Sequence, residues 1–498
     1  MVMFIGDILV ERGLVSSADL ASALELQNET RQSVGECLIA LGKLGRGDLD
    51  AVVEGAPVRA NSIASTGLAL PDLLGLMLKV MHARAGATSS ILSEILQLSP
   101  SVIMELLAEA NDRQLLNVLG AVSMQACSEL RYALTKKGDQ WAQDTLSRNK
   151  YVGPAPVPLA NYAAQILAQT IATDLVDEEA LERGFADLVL TEDFILEIGP
   201  AVNSGRSILL YGPPGNGKSS IAERIGRVFR DIVYVPYCFE VDGEIIKVFD
   251  SNIHKEIKRC NQPRLAMTIL GREDFDQRWV ACRRPLCITG GELTIEMLDL
   301  QYTPEAKYYE APLHIKTLGG IFVIDDFGRQ LVSPTVLLNR WIVPMGSQVE
   351  NLKLQTGKSF SLPFDEIIIF CTNMTPHDIM DPAFLRRIPY KIEITYPSVE
   401  EYRTLFFRRA AEVNLPITDQ VVDYVIYKLR EHSDFPLANF QPKFIIDQVL
   451  TLCRFKKIEP EFRTRFIDVA LNNLYTKDLL GHGGSRPAKG MIRSVGGA

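Results

Sequence analysis

The 498-residue chain has no Cys-x-x-Cys pair among its eight cysteines, and the closest two are Cys282 and Cys287. That scatter excludes a zinc ribbon and supplies no disulfide framework. There is no basic excess either. Lys and Arg number 52 against 61 Asp and Glu, a net charge of −9, so nothing draws the chain as a whole toward nucleic acid or anionic lipid. No uninterrupted apolar run is long enough to span a bilayer. The opening Met-Val-Met-Phe-Ile-Gly-Asp-Ile-Leu-Val-Glu carries acidic residues inside its apolar part and does not read as a signal peptide. These absences lead us to expect a cytoplasmic protein, long enough for three or four domains with cores of their own.

What is present centres on Ser207–Phe229. A short apolar run, Ile208 to Tyr211, feeds Gly212-Pro213-Pro214-Gly215-Asn216-Gly217-Lys218-Ser219-Ser220. A helix-periodic stretch follows, with Ile221, Ile225, Val228 and Phe229 on one face. This is G-x-x-x-x-G-K-S in the strand–turn–helix setting that a phosphate-binding loop requires. Its glycines let backbone N–H groups curl around phosphate oxygens, and the helix N-terminus adds its positive dipole end. Lys218 suits the β- and γ-phosphates of ATP, and the Ser219 hydroxyl suits Mg²⁺.

The other parts of a nucleotide-hydrolysing site come in order. Gly319-Gly-Ile-Phe-Val-Ile-Asp325-Asp326 reads as a buried strand ending in two carboxylates. Asp325 suits Mg²⁺ through its water shell, and Asp326 suits the attacking water. Glu366-Ile-Ile-Ile-Phe-Cys-Thr372-Asn373 is a second buried strand with a polar end.

This set resembles the AAA+ ATPases over residues 199–480. The resemblance makes Asn373 the sensor 1 residue that holds water beside the γ-phosphate. It makes Asp381-Pro-Ala-Phe-Leu-Arg386-Arg387 the arginine-finger segment, with one of Arg386 and Arg387 reaching a neighbouring subunit's site. Arg329 and Arg340 are further candidates for that role. Lys443, in Ala438-Asn-Phe-Gln-Pro-Lys443, stands where a sensor 2 arginine is usual. Most members carry Asp-Glu where this chain has Asp325-Asp326, one methylene shorter. Two segments, Glu350–Pro363 with a hairpin turn at Thr356-Gly357 and Arg284–Met297, read as insertions placed as in the MoxR-like, chaperone-type group. The resemblance implies a homo-oligomeric ring, a hexamer as in that family, with ATP and Mg²⁺ bound between subunits and a client protein remodelled.

Toward the N-terminus, Gly6, Leu9, Gly13, Leu20 and Leu24 recur as Gly35, Leu38, Gly42, Leu49 and Val53, each 29 residues later. The pattern resembles the duplicated N-terminal domain of type II secretion and type IV pilus extension ATPases, some of which bind cyclic di-GMP. Here Phe4 and Ser33 replace that family's arginines, and Ala56 a glutamine, so only weak cyclic di-GMP binding is expected. Helical stripes at Leu70–Met81, Ser89–Leu96 and Ser101–Leu116, then Tyr132–Gly138, resemble a MarR-like winged helix with Lys136 and Lys137 on its wing. The third stripe carries Glu105, Glu109 and Asp112 against Arg113, which disfavours DNA.

The expected architecture is α/β: an AAA+ P-loop core, a parallel sheet between helices, with a small helical lid. We expect a duplicated helical domain at 1–57, a winged-helix-like domain at 58–150, and a Pro-rich linker with helical connector at 151–198. The AAA+ core then covers 199–397, the lid 398–480 and a disordered tail 481–498. The expected function is a ring ATPase that remodels or activates a partner chosen by the N-terminal modules. Alternatives are a DNA-binding regulator acting through the winged helix, and a cyclic di-GMP receptor with ATPase output. The Gly-Ala-Phe-Thr-Gly-Ala loop of σ54 activators is absent.

Overall fold

A computed structural model describes residues 9–10, 14–30, 34–45, 55–84, 86–121, 129–229, 231–257, 275–431 and 436–474. Repeat positions Gly6, Gly13, Leu49 and Val53, the replaced positions Phe4 and Ser33, and the tail 481–498 lie outside them. The chain divides into two compact units. One comprises Met1–Gly184, Ile195–Tyr211 and Ser219–Ile392; the other comprises Phe185–Phe194, Gly212–Lys218 and Glu393–Ala498.

In the first unit, helices Ser17–Thr30 and Val34–Ala40 come first. Gly42, at φ +67°, ends the second of them, with Lys43 N–H donating back to Leu38 O. Leu9, Ala23 and Leu38 are buried in the same apolar cluster as Phe239, Trp279 and Ile315. The N-terminal helices therefore share a core with residues more than two hundred positions away.

Next come helix Leu70–Ala83, β1 (Ala87–Thr88), helices Ser89–Leu96 and Pro100–Asp112, β2 (Leu116–Ala121), β3 (Leu130–Leu134) and helix Lys136–Arg148. The three strands form an antiparallel sheet in the order β1-β3-β2. Thr88 and Ser99 start the helices of the second and third stripes, and Thr135 the closing helix, each by accepting a backbone N–H; the third helix ends at Asp112, short of the expected Leu116, which opens β2. The expected wing at Tyr132–Gly138 does not carry Lys136 and Lys137 on a turn. Tyr132 lies in β3, and Lys136, Lys137 and Gly138 form the first turn of the closing helix. Lys137 Nζ donates to Arg113 O at 2.8 Å. Glycine is needed at 138 for packing, since a Cβ there would meet Leu115 O at 2.2 Å.

The proline-rich stretch from Tyr151 to Leu159 is extended, as its composition dictates, but it is packed rather than free. Tyr151, Ala155 and Val157 are buried. Val157–Pro158 forms β4, an edge strand, where a residue lacking N–H is tolerated. The buried Arg278 ties this stretch down. It pairs with Asp276 and donates to the carbonyls of Thr66 and Pro156 at 2.9 and 3.1 Å.

The remaining strands of this unit are β5 (Ile208–Tyr211), β6 (Ile232–Pro236), β7 (Cys238–Val241), β8 (Glu244–Lys247), β9 (Trp279–Arg283), β10 (Leu286–Thr289), β11 (Gln301–Thr303), β12 (Tyr308–Glu310), β13 (Ile321–Ile324), β14 (Val349–Lys353), β15 (Ser359–Pro363), β16 (Ile367–Thr372) and β17 (Tyr390–Glu393). The central sheet runs β10-β13-β16-β5-β17, and the first three pairings are parallel. All four residues of β13 and all six of β16 are buried, the continuous apolar pattern of strands covered on both faces.

Arg284–Met297 is not an insertion. Its Leu286–Thr289 is β10, the edge of the central sheet, paired in register with β13. The unit also holds a second sheet, β11-β12-β8-β7-β4, and the antiparallel ribbon β6–β9. The hairpin β14–β15 is present, and Gly357 takes φ +90° at its turn.

The second unit holds helices Val399–Glu412, Asp419–Glu431, Gln441–Lys456 and Thr464–Leu474. Ser398 and Glu401 form a reciprocal capping box at the start of the first. Tyr402, Phe406, Val425, Ile445 and Phe466 are among the buried residues of their core. Among the described residues, no single helix is long and apolar enough to cross a membrane.

Candidate functional site

Strand β5 is buried at Ile208, Leu209 and Leu210, and the chain leaves it through the glycine loop into helix Lys218–Val228. Gly212, Gly215 and Gly217 take φ of +136°, +79° and +90°, conformations that side-chain-bearing residues rarely adopt. Two of them also have no room for a side chain. A Cβ on Gly212 would meet Ile394 O at 2.3 Å, and one on Gly215 would meet the Phe440 ring at 2.5 Å. Pro214 and Gly215 are exposed; Pro213 and Ser220 are half-buried.

Within the second unit, two residues ahead of helix Gln441–Lys456 hold the loop. Phe440 N–H donates to Gly215 O at 3.0 Å, and Asn439 Nδ2 donates to Asn216 O at 3.2 Å. Lys218 is buried, and its ammonium donates to Gly212 O and Pro213 O, both at 2.9 Å. The side chain is thus folded back against its own loop. Lys443 is exposed in the first turn of that helix. The contacts to the loop come from Asn439 and Phe440 instead.

The acidic pair belongs to the first unit. Asp325 follows β13 directly, and its Oδ1 accepts from Ser219 Oγ at 2.9 Å and from Asp326 N–H at 3.0 Å. Asp326, exposed, takes φ +47°. A left-handed residue that is not glycine costs of the order of 1–2 kcal/mol and persists only where its surroundings hold it. The next strand supplies part of that hold. Asn373, just past β16, donates from Nδ2 to Asp326 Oδ1 at 3.2 Å. Phe327 N–H donates to Cys371 O at 2.7 Å, and Thr372 Oγ1 donates to Phe327 O at 2.8 Å.

Gln330, which sequence reasoning missed, completes the clamp. Its Nε2 donates to Asp325 O at 3.0 Å and lies 3.3 Å from Gly290 O, while its Oε1 accepts Gly328 N–H at 2.9 Å. No motif announces a glutamine in this role; only the folded turn shows it.

Ser219, Asp325, Asp326 and Asn373 therefore converge where parallel strands end, the usual ligand crevice of an open α/β sheet. Ser219 and Asp325 offer hard oxygen donors 2.9 Å apart, a set that fits Mg²⁺ rather than a softer metal.

The arginine candidates separate. Arg386 and Arg387 are both exposed after the short helix Pro382–Leu385, which Asp381 caps by accepting Phe384 N–H at 2.7 Å. Arg387 Nη1 donates to Ala383 O at 2.9 Å, whereas the Arg386 side chain has no partner among the described residues. Arg329 is exposed. Arg340 is committed inward: it donates to Glu350 Oε1 at 2.7 Å and to Leu298 O at 3.0 Å. Glu350 is fully buried at the root of the β14–β15 hairpin, so Arg340 has a structural task and is not free to reach another subunit.

A family described as a domain of unknown function, DUF8689, matches residues 398–473. No curated protein matches the chain. Among solved structures, a RuvB mutant of Thermotoga maritima is 11% identical at a TM-score of 0.32, covering 61% of this chain and 73% of that one. Domain III of the replication initiation protein DnaA from the same organism is 11% identical at 0.33, covering 59% and 96%. NtrX from Brucella abortus is 12% identical at 0.34, covering 68% and 61%.

Proposed function

We propose that this chain, an α/β AAA+ P-loop fold, is an ATPase that works as a homo-oligomeric ring and remodels a partner protein. One observation carries the reading: Ser219 meets Asp325 at 2.9 Å while Asn373 meets Asp326 at 3.2 Å, on neighbouring parallel strands. The first pair would hold Mg²⁺, which when bound neutralises phosphate charge. The second pair would hold and polarise the attacking water, with Asp326 taking its proton.

Lys218 would exchange its two carbonyl partners for β- and γ-phosphate oxygens, guided by the backbone N–H groups of Gly215, Asn216 and Gly217. The shorter Asp326 would still serve, because Asn373 and the left-handed turn present its carboxylate at the strand end. Arg386, exposed and unpartnered among the described residues, is the better candidate for an arginine acting in a neighbouring subunit.

The β14–β15 hairpin supports a MoxR-like, chaperone-type role, since a rigidly rooted hairpin is suited to pushing on a client. The DNA-regulator alternative loses support, because Lys136 and Lys137 belong to a helix start rather than a hairpin tip. The decisive experiment is ATP turnover by the purified chain at increasing protein concentration. Specific activity that rises with assembly supports a ring. Undiminished turnover by a dilute monomer would contradict it.

A further inference from the structure

Away from the phosphate loop, a cleft of about 340 Å³ opens between the proline-rich stretch and the second sheet. Its volume lies in the range of small-molecule sites, roughly 300–1,000 Å³. Tyr237, Phe249 and Tyr308, all half-buried, line it with ring surface. Lys150 and Lys247 also line it and supply its two charges.

Its walls are set firmly. Tyr151 and Tyr308 meet edge-on with centroids 5.8 Å apart, as do Tyr237 and Phe249 at 5.3 Å. The Tyr151 hydroxyl is already used, donating to Pro154 O at 2.8 Å and accepting from the Cys238 thiol at 3.2 Å. The groups left over are all donors suited to an anion. Among the described residues, the Lys150 ammonium and the Tyr237 and Tyr308 hydroxyls have no partner. Lys247 stands 3.8 Å from Glu310 Oε2, while the other oxygen of Glu310 is held by Lys316 at 2.7 Å. Two ammonium groups exclude a cation from this aromatic cleft.

We propose that this cleft binds a small planar anion, an aromatic or heteroaromatic ring bearing a phosphate or a carboxylate. The ring lies against Tyr237, Phe249 and Tyr308. The anionic group meets Lys150 and Lys247, with a phenol hydroxyl as a third donor. The site is independent of the ATPase reading. A mononucleotide and an aromatic carboxylate share this chemistry, and the test separates them.

The test is calorimetric titration of the full-length Lys218→Ala chain, in which the phosphate loop is disabled, with GMP, 1-naphthoate and guanosine. The expected result is micromolar binding of GMP, of 1-naphthoate or of both, none of guanosine, and at least about a tenfold loss in Lys150→Met/Lys247→Met. Binding of GMP alone assigns a phosphate ligand, and binding of 1-naphthoate alone a carboxylate. Lys150→Met by itself, an exposed position, should weaken binding without altering thermal stability. No binding of either anion below about 1 mM, or equal affinity in the double variant, overturns the proposal.

Discussion

Asn373 Nδ2 donates to Asp326 Oδ1 across 3.2 Å, joining the ends of two adjacent parallel strands. This bond holds in place the carboxylate proposed to take the water's proton. Replacing Asn373 by Ala should leave ATP binding unchanged and lower kcat by about tenfold or more, since a tenfold loss corresponds to about 1.4 kcal/mol of lost transition-state stabilisation. Steady-state kinetics with a nucleotide-binding titration checks it. A raised KM with unchanged kcat would reassign Asn373 to ground-state binding.

Gln330 should behave as a positioning residue. It fixes the backbone of Asp325 and Asp326 from outside the reacting groups. Gln330→Ala should reduce kcat with little change in KM, because the left-handed turn at Asp326 loses a clamp. A variant that loses thermal stability in proportion to activity would reduce Gln330 to a structural part.

Arg386 and Arg340 should part company on mutation. Arg386→Ala should keep its stability and bind ATP, yet lose roughly 10³-fold or more in turnover if it acts in trans. Mixing it with Lys218→Ala subunits should then restore part of the activity. Arg340→Ala leaves Glu350 buried without its strongest partner, so it should unfold more easily by about 3–5 kcal/mol. Chemical denaturation and mixed-subunit assays separate the two outcomes.

His254 predicts a pH dependence of stability. Its ring is buried, accepting Asp250 N–H at Nδ1 over 2.8 Å and donating from Nε2 to Lys316 O over 2.7 Å. Burial lowers its pKa to about 4. The unfolded chain therefore takes up a proton below about pH 6.5 that the folded chain refuses until about pH 4. Stability falls as pH drops through that window, by about 1 kcal/mol at pH 5.5. Denaturant melts at pH 7.5 and 5.5 should show this slope, and His254→Gln should lose it. An unchanged slope in the variant would mean that other groups carry it.

The sequence exposed the loop, the acidic pair and Asn373 because each follows an apolar strand with a fixed pattern. The β14–β15 hairpin was equally visible from its alternation and its Thr356-Gly357 turn. Other parts were hidden for definite reasons. Leu286–Thr289 has only four residues, and nothing local distinguishes a sheet edge from an inserted strand. Lys136-Lys137-Gly138 fits a wing because glycine usually marks a turn; here the glycine marks where a helix crosses Leu115. Nothing in the sequence near Arg340 signals that it is committed to Glu350, ten residues on and buried. Gln330 acts through backbone carbonyls four and five residues away, a relation with no sequence signature.

The most direct test is paired measurement of ATP binding and ATP hydrolysis on wild type, Lys218→Ala and Asp326→Asn. The account predicts that Lys218→Ala fails to bind, because the loop loses its mobile cation. It predicts that Asp326→Asn binds like wild type but turns over about 10²-fold or more slowly, because an amide cannot accept the water's proton. Hydrolysis by Asp326→Asn at the wild-type rate, or wild-type protein that neither binds nor hydrolyses ATP, would contradict it.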